Sequence, residues 1–128
     1  MNYYFSKTVD DPMDAAIAKL AQELKKEEFG ILTEIDMAAT LAQKLNVRIN
    51  NYRILGACNP HFAYEALQQE NKIGLMLPCN IVVQQREDGR TEISAVDPVA
   101  SMMAIPNESL ANIAGQVREK LRSVIENC

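Results

Sequence analysis

The chain has 128 residues, 48% apolar and 23% charged, a balance that fits one globular domain with its own core and excludes a disordered chain. Thirteen basic against seventeen acidic residues leave a formal net charge of −4. The basic residues are scattered, so the attraction to phosphate backbones that a nucleic-acid-binding surface needs is missing.

Residues 3 to 9, YYFSKTV, are aromatic and β-branched and predict a strand, after which Asp10-Asp11-Pro12 supplies a cap and a first-turn proline. Met13, Ala16, Ile17, Leu20 and Leu24 recur at helical spacing, and Gly30 is placed to close that helix in a left-handed conformation. GILTEID reads as a second strand ending at Asp36, which caps a helix from Met37 to Leu45. NYRILGAC is a third strand. Asn59-Pro60 then opens a helix to about Asn71, with Phe62, Ala63, Ala66 and Leu67 as its apolar stripe.

CNIVVQQREDGRTEISAVD is the clearest hairpin, and Asp88-Gly89 suits a two-residue turn whose central residues take positive φ. That register sets Glu87 opposite Arg90 and puts Ile81 and Val83 on the face of Ser94 and Val96, with Val82 and Ala95 on the other. Apolar residues then lie on both sides, and a helix, a second subunit or a ligand is needed to cover them. After a short helical link, Leu110, Ile113, Ala114, Val117, Leu121, Val124 and Ile125 mark a long helix from Glu108 to Glu126. Arg118, Lys120 and Arg122 near its carboxyl end read as a solvated face favoured by the helix dipole.

Three early connections run through helices, yet the strands alternate polar and apolar residues, unlike the continuous apolar strands of parallel sheets. The expectation is one α+β domain over residues 1–128 with a mainly antiparallel sheet. Residues 1–9 lack an apolar signal run, and no stretch of about 18 apolar residues occurs, so the expected location is the cytoplasm, with no membrane partner. Three cysteines, an odd and low number, are expected to be reduced thiols.

The segments FGILTEID, ILGACNPHFAYEAL, GLMLPCNIVVQQ and VDP, in this order, resemble the bacterial domain-of-unknown-function family numbered 302. The most specific pieces are Gly56-Ala57-Cys58-Asn59-Pro60 and Leu77-Pro78-Cys79-Asn80. The resemblance implies a TATA-binding-protein-like β-α-β(4)-α arrangement with a curved sheet, two short helical insertions at Met37–Leu45 and Pro60–Asn71, and pairing as a homodimer. It carries no agreed activity, cofactor or catalytic residue. Likeness in fold to a DNA-binding protein is analogy, and the missing basic surface weighs against it.

Cys58, Asn59, Pro60 and the only histidine, His61, stand in adjacent positions. Asn59-Pro60 has a complete explanation as a helix start. Cys58 precedes that start, where unpaired backbone N–H groups favour a thiolate, although a small buried thiol is the plainer reading. If the third and fourth strands are neighbours, Cys58 meets Cys79. A thiol site then emerges, for redox chemistry or a soft metal, with His61 or Asp36 as ionisable assistant and Asn59 and Asn80 positioning a polar group. No C-x-x-C pair or four-ligand zinc set supports it.

The leading expectation is instead a small binding protein that takes a small molecule or partner on the sheet face, helped by the helix around Phe62 to Leu67 and by Met76, Met102 and Met103 as an adaptable lining. A serine hydrolase would have to be built around His61 without Gly-x-Ser-x-Gly, and glycine-rich phosphate loops are absent.

Overall fold

Strands that alternate apolar and polar side chains are satisfied when one face of their sheet is covered and the other is left to solvent. The computed structural model of the protein, which describes residues 2–128, has this arrangement. Among these residues, β1 (Tyr4–Val9), β2 (Gly30–Asp36), β3 (Tyr52–Cys58), β4 (Cys79–Gln85) and β5 (Thr91–Val96) form one sheet in the order β1-β5-β4-β3-β2. Every neighbouring pair is antiparallel. Helices α1 (Met13–Lys26) and α5 (Glu108–Asn127) lie across one face, while α2 (Met37–Leu45) and α3 (Pro60–Gln69) interrupt the run of strands and α4 (Pro98–Ser101) leads into α5. The fold is therefore α+β with a β-α-β(4)-α order, as the alternation and the resemblance imply. No helix among the described residues is long and apolar enough to cross a membrane.

The covered face presents Leu55, Ala57, Ile81, Val83, Ile93 and Ala95, each between 0% and 1% exposed, to Leu20 and Leu24 of α1 and Leu121 and Val124 of α5. Each fully buried Leu, Ile or Val contributes roughly 1.5–3 kcal/mol, so this layer anchors the domain. A smaller cluster of Ala66, Ile73, Met102, Leu110 and Ala114 joins α3 to α5 around the one-turn helix Ile73–Met76, a turn that the residue pattern does not announce.

The hairpin differs from its sequence reading by one residue, and the difference exchanges the faces. Arg86 N–H donates to the Arg90 carbonyl at 2.8 Å and Gly89 N–H to the Arg86 carbonyl at 2.9 Å, so Glu87-Asp88-Gly89 forms a three-residue loop. Gly89, at φ +86°, takes the left-handed position that such loops reserve for glycine. Ile81 and Val83 consequently stand opposite Ala95 and Ile93 on the core side, and Val82 faces Ser94 on the open side. Arg90 is drawn to Asp10 at 2.8 Å and not to Glu87.

Helix ends show two further differences. Pro12 itself occupies the N-cap of α1 without a side-chain cap, while the Asp11 carbonyl accepts from Thr91 Oγ1 at 2.7 Å. At the other end, Glu28 adopts φ 66° and Phe29 N–H returns to the Leu24 carbonyl at 2.9 Å, so the left-handed closure falls before Gly30, which begins β2. Asp36 caps α2 through Ala39 N–H at 2.9 Å, as its position predicts.

Gly56, in the middle of the β3 pairing, is constrained from both sides: a Cβ there would collide with Thr33 Oγ1 of β2 and Cγ of Pro78. The Pro78 ring cannot rotate away. Gly56→Ala is expected to lower stability by about 1–3 kcal/mol in urea unfolding, whereas Gly74→Ala, whose Cβ meets nothing within 4 Å, should stay close to the parent protein.

Candidate functional site

Antiparallel pairing of β3 with β4 sets Ala57 opposite Cys79 and Gly56 opposite Asn80. Cys58, one residue beyond Ala57, therefore comes close to Cys79, and both border a hollow of about 30 Å³ between α3, α5 and the ends of these strands. That volume holds a water molecule or little more. Its walls are apolar, with Phe29, Phe62, Ala66, Met102 and Val117 among them.

This environment opposes ionisation of the thiols. Burial, and then the neighbouring Cys58, push the Cys79 thiol up from 9.0 to about 11, and burial also raises that of the half-buried Cys58. Desolvation outweighs whatever the start of α3 offers a thiolate. Among the described residues no group of three or more His, Cys, Asp or Glu side chains is arranged to hold a metal ion.

Of the remaining residues of the sequence-derived site, Asn59 stays with the two cysteines on the wall of the same hollow, and His61, Asp36 and Asn80 lie apart from it. Asn59 is 4% exposed and both ends of its amide are used: Oδ1 accepts from Phe62 N–H at 3.4 Å, and Nδ2 donates to the Glu27 carbonyl at 3.2 Å. It fastens the start of α3 to the end of α1. His61 is exposed on α3 and does not line the hollow. Asp36 pairs with Arg53, at the opposite end of β3 from Cys58. Asn80 is exposed on the open face.

The open face carries a larger concavity. Tyr4 and Ser6 of β1, Glu92, Ser94 and Val96 of β5, Asn80, Val82 and Gln84 of β4, and Tyr52 of β3 line a hollow of about 340 Å³, with Tyr3 at its rim. Small-molecule sites begin at about this size. The polar groups form short cross-strand links: Ser6 and Ser94 hydroxyls lie 2.7 Å apart, and Gln84 Nε2 donates to Glu92 Oε1 at 3.3 Å. The Tyr3 and Tyr4 rings meet edge to face with centroids 5.0 Å apart. Beyond Tyr52 and Gln84 the surface continues into a second hollow of about 370 Å³ flanked by Arg48, Asn50 and Glu87.

Only Asn80 among the sequence-derived candidates belongs to this concavity. The others escaped because the two-residue turn put Val82 and Ser94 on opposite faces; a three-residue loop would have collected Val82, Gln84, Glu92 and Ser94 on one. The expectation that the helix around Phe62 to Leu67 closes over the sheet face is also corrected. α3 lies on the covered side, where Phe62 packs against the core and Ala66 against α5. Met102 is buried there, and Met76 and Met103, although exposed, do not line the open-face concavity.

The family described as "Domain of unknown function DUF302" matches residues 5–128. The crystal structure of an uncharacterized conserved DUF302 protein from Bacillus stearothermophilus is similar over 100% of this chain and 99% of that one, at 27% identity and a TM-score of 0.93. No curated protein matches the chain.

The raised thiol of Cys79 makes two measurable statements. Iodoacetamide at about pH 8 is expected to label native Cys58 first and Cys79 at least about tenfold more slowly than a free thiol, by peptide mass spectrometry. The folded form holds the Cys79 proton up to about 11 and the unfolded form only to its ordinary 9.0, so the associated stability is intact below pH 9 and is lost as pH rises toward 11. Parent and Cys79→Ala should therefore converge in urea stability across that window by on the order of 2 kcal/mol.

Proposed function

From a chain that belongs to the DUF302 family, whose description assigns no chemistry, we propose a binding protein that takes a small molecule on the open face of its sheet. The concavity of about 340 Å³ carries this reading. Tyr4, Tyr52, Val82 and Val96 supply apolar surface to desolvate the body of a ligand, and a few hydroxyl, amide and carboxylate groups stand ready to orient it. All but Tyr3 sit on paired strands, so the site is held in shape before a ligand arrives.

A thiol site at Cys58 and Cys79 is the second reading, and their shared hollow is the observation in its favour. Its water-sized volume and the raised thiols place it behind the sheet face. Free Cys58, Cys79 and Cys128 suit the reducing cytoplasm, which is the location we propose.

We place a second copy of the chain at the outer edge of β2, which has no strand partner among the described residues. Leu32, Ile35, Leu45, Val47 and Ile49, from 44% to 67% exposed, crowd the stretch from that edge strand to the loop before β3. An unpaired edge beside apolar side chains favours association, and a two-fold dimer is the commonest closed form.

Two experiments check these assignments. In a fragment screen by 15N-resolved NMR, shifts should gather at Ser6, Val82 and Ser94, and Val82→Arg should weaken binding at least about tenfold by filling the groove. Shifts gathered instead at Phe62 and Met102 would move the site to the thiol hollow. In sedimentation velocity the parent is expected to run as a dimer and Leu45→Glu/Val47→Glu as a monomer; a monomeric parent removes the dimer.

A further inference from the structure

The charge of the open face narrows the ligand class, and this step rests on the binding reading above. Glu92 is the only formally charged side chain lining the concavity among the described residues, and it is half buried there. Gln84 donates to one of its oxygens at 3.3 Å, and no cation lies within ion-pair distance of it among the described residues. The guanidinium at that end of the groove, Arg86, has partners of its own: Nε lies 3.5 Å from Asp88, and Nη1 donates at 3.3 Å to Oγ1 of Thr8, the residue that stands opposite Glu92 on β1. Arg48 flanks the adjoining hollow beyond Tyr52, which Glu87 also lines, its Oε1 accepting from Asn50 Nδ2 at 2.9 Å.

We infer that the groove takes a small organic cation, an ammonium group carried on an aromatic or alkyl body. A half-buried carboxylate with no charged partner is stabilised by an incoming cation and repelled by an anion. A primary ammonium needs several acceptors, and the Glu92 carboxylate, the Ser6 and Ser94 hydroxyls and the Gln84 carbonyl oxygen present them along adjacent strands. Tyr4 and Tyr52 add aromatic surface, which attracts cations through its ring faces and also covers an apolar body. The net charge of −4 draws cations toward the protein from a distance.

Three probes of similar shape separate charge from apolar fit: 2-phenylethylammonium, neutral 2-phenylethanol and anionic 3-phenylpropanoate, each titrated into the full chain with 15N-resolved NMR. The expected result is at least tenfold tighter binding of the ammonium than of the alcohol, with shifts at Ser6, Val82 and Glu92, and no saturable binding of the carboxylate. Glu92→Gln keeps the size and most of the hydrogen bonding, and it should bring the ammonium down to the level of the alcohol. Equal or tighter binding of the alcohol or the carboxylate on this face overturns the charge inference and leaves the binding reading standing. An absence of shifts there with all three probes overturns both. So do shifts at these residues that depend on protein concentration alone, because a second copy is then the occupant.

Discussion

The pairing register of β4 with β5 is the constraint on which both the core and the groove depend. With Val83 opposite Ile93 and Ile81 opposite Ala95, four apolar side chains form the floor on which α1 and α5 rest. The same register turns Val82, Gln84, Glu92 and Ser94 to the open side. One residue in the loop decides this, because side chains on a strand repeat with a period of two and a single slip moves every one of them to the opposite face. β1 inherits the choice: Tyr4 stands opposite Val96 and Ser6 opposite Ser94, which brings the tyrosine rim and the hydroxyl pair into the same concavity.

The end of β5 links this sheet to the helical layer. Asp97 is 3% exposed and divides its carboxylate between two tasks: Oδ1 accepts from Val99 N–H at 3.0 Å to start α4, and Oδ2 accepts from Arg118 Nε at 3.1 Å on α5. Its backbone N–H donates to the Tyr3 carbonyl at 2.7 Å and so fixes the approach to β1. Arg118 and Arg122 lie over the Phe5 ring at 5.5 Å and 5.2 Å, and Lys120 is 3.9 Å from Glu27. The basic residues of α5 are thus engaged within the protein and do not form a free solvated face. A buried carboxylate with two committed partners is costly to disturb, since removing either leaves charge or a lone pair unmet.

Much of the architecture was legible from side-chain periodicity, because burial acts directly on it. The stripe from Leu110 to Ile125 became the buried face of α5, and Asp36 and Asn59 became caps at the positions their types favour. What escaped depended on backbone choices that side chains specify weakly. Asp88-Gly89 is compatible with a two- or a three-residue connection, and Glu28, a residue that pays strain at positive φ, closed α1 because Phe29 was drawn into the core. The candidate site was half legible: adjacency of β3 and β4 brought Cys58 and Cys79 together. Neither the apolar walls around them nor the outward turn of Asn80 is written in their spacing.

The two hollows differ in what a ligand would ask of the surrounding protein and water. Burial that pushes the Cys79 thiol up to about 11 keeps it protonated at neutral pH, which suits a small apolar side chain packed beside Ala57. Enlarging that hollow for a ligand would displace Ala66, Met102 and Ala114, which line it and also belong to the second core cluster. The open face asks for no such displacement. Its carboxylate, amides and hydroxyls already meet solvent, and an incoming ligand need only exchange water contacts for protein contacts while its apolar body leaves water against Tyr4, Tyr52 and Val82. Binding at the sheet therefore leaves both core clusters intact, whereas binding at the cysteines would have to work against one of them.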